Sequence, residues 1–60
     1  MLEVRTKDGK VTTFGSEYVW YKDRITNQLV VYKDLVNAKY FELDDIVVVY
    51  VGEKEVKING

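Results

Sequence analysis

The 60-residue sequence contains no Cys, no His and no Pro, and its only Ser is Ser16. Each absence excludes something. Without Cys there are no disulfides, and without Cys or His the usual zinc sites cannot form. General acid–base catalysis near neutral pH most often uses His, and nucleophilic catalysis needs an activated Ser, Thr, Cys or Lys beside a base. Ser16 follows Gly15 in a turn, with no histidine to activate it. The residues therefore predict no enzyme and no cofactor. Charge of one sign is missing too: nine Lys and Arg face ten Asp and Glu, for a formal net charge of −1. No global field draws such a chain to nucleic acid or membrane.

Long hydrophobic runs are absent as well. The longest, Ile46 to Val51, reads IVVVYV, far short of the ~20 apolar residues of a membrane-spanning helix. The start, MLEVRTKDGK, lacks the basic opening and the apolar run of ~7–15 residues of a secretion signal. A cytoplasmic protein with no membrane partner is the expectation.

What remains is 47% hydrophobic and 32% charged, a balance that folds rather than staying disordered. A chain this short buries only about 60% of its unfolded surface. Small domains are commonly reinforced by disulfides, metals or association. Association alone is open here, so the sequence predicts a homo-oligomer.

Strand signals run throughout. Leu2 to Lys7 alternates apolar and polar, Asp8-Gly9 supplies a two-residue type I′ turn, and Lys10 to Phe14 returns, pairing Val4 with Thr13 and Thr6 with Val11. Tyr18 to Asp23, Gln28 to Lys33, Ala38 to Leu43 and Ile46 to Val51 follow, separated by turns at 24–27, 34–37 and 44–45. Leu43 to Ile46 also fits a single helical turn capped by Asp. A tail strand spans Glu55 to Asn59, with Val56 and Ile58 on one face. No window carries helical spacing for long enough to form a substantial helix. The predicted fold is all-β, a single domain over residues 1–60, with five to seven short antiparallel strands in a small barrel or rolled meander of the Src-homology-3 or Sm type.

Simple hairpins would sort the apolar residues onto two faces. Val19, Tyr21, Val30, Tyr32, Phe41, Leu43, Ile46, Val48 and Tyr50 form the expected core. Tyr18, Trp20, Leu29, Val31, Tyr40, Val47, Val49 and Val51 form the other, with Lys22, Lys33 and Glu42 among them. A one-residue bulge would exchange the sides beyond it. The second face is the expected contact surface, with Trp20, Tyr18, Tyr40, Lys22 and Lys33 as binding residues. Trp and Tyr suit that role because each offers large apolar area with a polar tip. Asp44-Asp45, with Glu42 and Glu53 nearby, lacks the ligand spacing of a calcium loop and reads as a solvated turn.

Two resemblances bear on function. Lys7-Asp8-Gly9-Lys10-Val11, then Gly15, then Asp23-Arg24-Ile25-Thr26-Asn27-Gln28-Leu29-Val30 resembles the first half of Sm-like RNA-binding proteins. That resemblance implies nucleic-acid binding, with Asp23 and Asn27 flanking a base-binding loop. The Arg-Gly loop of the family's second half has no counterpart, since Tyr50-Val51-Gly52-Glu53 stands there. The hairpins LVVYKD and FELDDIVVVYV are similar in style to small all-β proteins of phages and prophages of Gram-positive bacteria. This second resemblance implies stoichiometric binding, in the host cytoplasm, to a host protein, a nucleic acid or a nucleotide signal, including inhibition of host defence. Binding to a protein or ligand without catalysis is the leading expectation, and nucleic-acid binding the alternative.

Overall fold

The computed structural model describes residues 1–56 and 58. It is all-β. Seven strands, β1 (Leu2–Thr6), β2 (Val11–Phe14), β3 (Val19–Asp23), β4 (Gln28–Tyr32), β5 (Ala38–Glu42), β6 (Ile46–Val51) and β7 (Lys54–Val56), are interrupted only by a 3₁₀ turn at Leu43–Asp45. They form two antiparallel sheets, one ordered β2-β1-β6-β7 and the other β3-β4-β5. The 3₁₀ turn lacks the expected Asp cap: Glu42 is the N-cap residue, and no side chain bonds there. The tail strand begins one residue earlier than expected, Ile58 is not part of it, and Lys57 and Asn59 of the predicted range lie outside the described residues.

The core lies between the sheets. Leu2, Val4 and Val49 enter it from the larger sheet, Leu29 and Val31 from the smaller. Leu43 and Ile46 close the corner, and Ile58 adds the tail. Phe14, Tyr18, Trp20, Phe41 and Val56 pack around them, partly buried.

This is not the face that simple hairpins predict, and three one-residue differences explain why. The β1–β2 tip holds three residues, not two. Thr6 N–H donates to Lys10 O at 3.1 Å and Gly9 N–H to Thr6 O at 3.0 Å, while Gly9 sits at φ +87°. A glycine in the left-handed region after such a turn is the three-residue hairpin solution. Val4 therefore pairs with Thr12 and Arg5 with Val11, which turns Phe14 inward and leaves Val11 exposed.

The β4–β5 connection likewise ends in a three-residue tip, with Lys33 N–H donating to Asn37 O at 3.1 Å. Val30 then pairs with Tyr40, and Leu29 with Phe41. In β6 the ladder to β1 skips a residue: Thr6 pairs with Ile46 but Arg5 with Val48. Val47 is the extra residue of a β-bulge, 63% exposed. Beyond it Val49 turns into the core, while Val48 and Tyr50 face outward beside Arg5 and Glu3. Side chains alternate with a period of two, so each added residue exchanges the faces beyond it.

Packing chemistry agrees with the observed choice. The inward side of β3–β5 carries Trp20, Leu29, Val31 and Phe41, whereas the expected core side carried Tyr21 and Tyr32. A buried phenol needs a hydrogen-bond partner for its hydroxyl, and water supplies one on the outside.

Candidate binding surface

The outer face of β3–β5 is built in cross-strand rows. Asp23, Gln28 and Glu42 make one end, Tyr21, Val30 and Tyr40 the middle, and Val19, Tyr32 and Ala38 the next row. Val30 is 4% exposed although it lies on the outside. Its neighbours directly opposite are Tyr21 and Tyr40, close enough in a sheet for their rings to cover it. Tyr40 is 59% exposed, and Tyr21 and Val19 are about half exposed. Tyr21 and Tyr32 meet edge to face, with ring centroids 5.9 Å apart.

The adjoining β4–β5 tip extends this apolar surface. Asp34 Oδ1 accepts the N–H groups of Val36 at 2.9 Å and Asn37 at 2.7 Å. Asn37 Nδ2 donates to both carboxylate oxygens of Asp34. These bonds, led by the Asn37 N–H, hold the Asp34 carboxyl below its ordinary range. The loop so organised displays Leu35 and Val36 almost fully exposed. Leu35, Tyr21, Val30, Tyr32 and Tyr40 line one open recess of about 260 Å³.

The residues singled out from the sequence are divided among three places. Trp20 and Tyr18 lie at the opposite side of β3 from Tyr21. Both are half-buried against the core, and both line an apolar recess with Leu2 and Val51, about 380 Å³ in volume. Tyr18 packs on Phe14 at 5.1 Å between centroids, and Lys33 Nζ sits 5.6 Å from the Tyr18 ring centroid. Lys22 is drawn to the tail, donating from Nζ to Ile58 O at 2.6 Å. Tyr40 alone joins the tyrosine face. Trp20 and Tyr40 therefore do not share a surface: Trp20 pairs with Val31, and Tyr40 with Val30.

Asp23 and Asn27 build the β3–β4 turn. Asp23 Oδ1 accepts the N–H groups of Ile25 at 3.0 Å and Thr26 at 3.3 Å. Asn27 adopts φ +58°, a left-handed conformation that Asn tolerates better than most residues. Its carbonyl accepts Leu43 N–H at 3.0 Å.

Tyr21 and Tyr32, expected in the core, thus lie on the exposed face, as Val19 does, and Val48 and Tyr50 leave the expected core at the β6 bulge. A usable signal was present: the side holding most of the β3–β4 hydroxyls is the side that water can satisfy. Among the described residues no three Asp or Glu gather as metal ligands, and no helix is long and apolar enough to cross a membrane. Fold and surface together define a small two-sheet all-β domain with a tyrosine-rich outer face. No family model, no curated protein and no solved structure matches the chain.

Proposed function

We propose that this protein is a non-enzymatic binding protein that engages a protein partner through the outer face of β3–β5. The observation that carries the reading is the cluster of Tyr21, Tyr32 and Tyr40 over Val30, continued by Leu35. Tyrosine anchors suit protein interfaces, where the ring is buried and the hydroxyl finds a partner. Exposed rings can also stack nucleobases, but Asp23, Asp34 and Glu42 border this face. Their carboxylates repel phosphates, which favours a protein. The resemblance to phage proteins would make that partner a host factor.

In the absence of the partner, a second copy covers the same face. The exposed area of Val19, Tyr21, Tyr32, Tyr40 and Leu35 is on the order of 600 Å², near the ~800 Å² each side contributes to a standard interface. Light scattering over a concentration series tests this. A concentration-dependent dimer that Tyr40→Lys abolishes is the expected result, and a monomer at every concentration removes the self-association. The partner claim is tested separately, by reconstituting a complex of fixed stoichiometry from purified components. Undiminished complex formation by Tyr40→Lys would overturn it.

A further inference from the structure

A different part of the surface carries an independent inference. Lys7 from the β1–β2 tip, Lys22 from β3 and Arg24 from the β3–β4 turn line one open cleft of about 510 Å³. Leu43 and Ile58 also line it, and among the described residues Asp44 is the one carboxylate that does. The three cations come from separate segments, and the fold brings them together.

None of the three forms an ion pair among the described residues. Among the described residues the ion pair is Arg5 with Glu3, on the far outer face. Asp23, the carboxylate nearest Arg24 in sequence, is turned into its own loop by the N–H groups of Ile25 and Thr26. Lys22 is partly buried and held in place by a neutral carbonyl, that of Ile58. An ammonium has three donors, so this bond leaves two for a ligand. Among the described residues three cations face one carboxylate in this cleft, and because Lys7 is shared with its neighbour, Lys22 and Arg24 carry the excess of positive charge. The neighbouring cleft is the comparison: Lys10 and Lys39, with Lys7 shared between the two clefts, stand there with Asp8, Glu42 and Asp45.

We propose that the cleft binds the phosphate groups of a multiply charged phosphoanion, with Lys22 as the fixed donor and Arg24 and Lys7 as mobile ones. Arg and Lys make their strongest hydrogen bonds to phosphate oxygens, Arg with bidentate geometry. The cleft's volume falls in the range of small-ligand sites, ~300–1,000 Å³, so a di- or triphosphate fits better than a single phosphate. The proposal does not depend on the tyrosine face, which lies on the outer side of the smaller sheet.

The test is a titration of the whole protein with inorganic pyrophosphate at low ionic strength, followed by amide NMR. Saturable shifts confined to Lys7, Lys22 to Asn27, and Leu43 to Asp44 are expected. Lys22→Gln and Arg24→Gln should each weaken binding about tenfold, while Lys10→Gln and Lys39→Gln leave it unchanged. Arg24→Gln lies in an exposed turn and decides the matter if Lys22→Gln does not fold. Two further titrations, with a nucleoside diphosphate and with a short single-stranded DNA, assign the source of the phosphate. Tighter, steeply salt-dependent binding of the DNA points to a nucleic-acid backbone, and saturation by the diphosphate alone to a free nucleotide. No saturable shift, or equal shifts at Lys10, Lys39 and Lys54, would overturn the site.

Discussion

The outer faces of the two sheets present the same problem and solve it differently. On the larger sheet, β1 places Glu3 and Arg5 outward between β2 and β6. Arg5 Nε bonds Glu3 Oε2 at 2.5 Å, and its guanidinium carbon lies 5.2 Å from the Tyr50 ring centroid. That bond holds the Arg5 pKa above its ordinary value. The aliphatic stem and planar head of an arginine can shield apolar surface while remaining wet. On the smaller sheet the middle strand places Gln28, Val30 and Tyr32 outward. Among the described residues no cation lies over those tyrosines, and the Gln28–Glu42 hydrogen bond at 3.2 Å stays at the end row. One outer face is covered from within the chain and the other is left exposed. The proposed protein binding rests on this contiguous exposed aromatic patch.

The largest effect expected from breaking this contrast lies within β4 itself. Val30 and Val31 are adjacent and both buried, at 4% and 0% exposure. Val31 is buried by the two-sheet core, but Val30 by flanking tyrosines open to solvent. Val31→Ala should cost on the order of 2–3 kcal/mol, against about 1 kcal/mol for Val30→Ala, where the rings can collapse. Urea unfolding of the two variants measures the difference, and equal losses would mean that the outer face is as well packed as the core.

Next in size, the double change Tyr21→Ser, Tyr40→Ser should weaken partner binding by about tenfold or more at a temperature where the variant is still folded, with Tm lowered because Val30 loses the rings that cover it. Tyr50→Ser, on the opposite outer face, should leave binding unaltered. Calorimetric titration of both variants checks the pair. The contrast can also be erased from the other side. Glu3→Val with Arg5→Val uncovers Tyr50 and Val48, and should create new concentration-dependent association visible by light scattering.

The smallest effect is that of pH. The Asp34 carboxyl is held below its ordinary value of 3.8 by the Asn37 and Val36 N–H groups. Because the folded pKa is the lower one, the loop gains stability above 3.8 and loses it as pH falls through the folded value. The amide signals of Val36 and Asn37 should therefore shift below that pH, while those of Val31 stay constant.

Much of the fold is legible in the residues. The turns at Asp8-Gly9, at 24–27 and at 34–37 all appear where composition puts them, and the β3–β4 register matches simple pairing, with Tyr21 opposite Val30. Three Asp side chains explain this, since each bonds backbone N–H groups within its own turn and so encodes the turn locally. The binding surface was less legible. Simple hairpins put Trp20 and Tyr40 on one face and Tyr21 and Tyr32 in the core, whereas the three-residue β4–β5 tip sets Tyr40 beside Val30 and Tyr21. A cationic cleft formed by Lys7, Lys22 and Arg24 leaves no local trace, since its members meet only when β1, β3 and the tail converge.

Ile46 to Val51 shows where local information ends. By itself the sequence determined that this run is a strand, because four valines and an isoleucine restrict χ1 and favour the pleated backbone. It could not determine which side faces inward, because a run apolar at every position carries no alternation from which to read a register. Tertiary structure decided that. Pairing with β1 inserted Val47 as a bulge, turned Val49 to the core and sent Val48 and Tyr50 out beside Arg5 and Glu3. The same packing turned the Trp, Leu, Val and Phe side of β3–β5 inward and left its phenols to water.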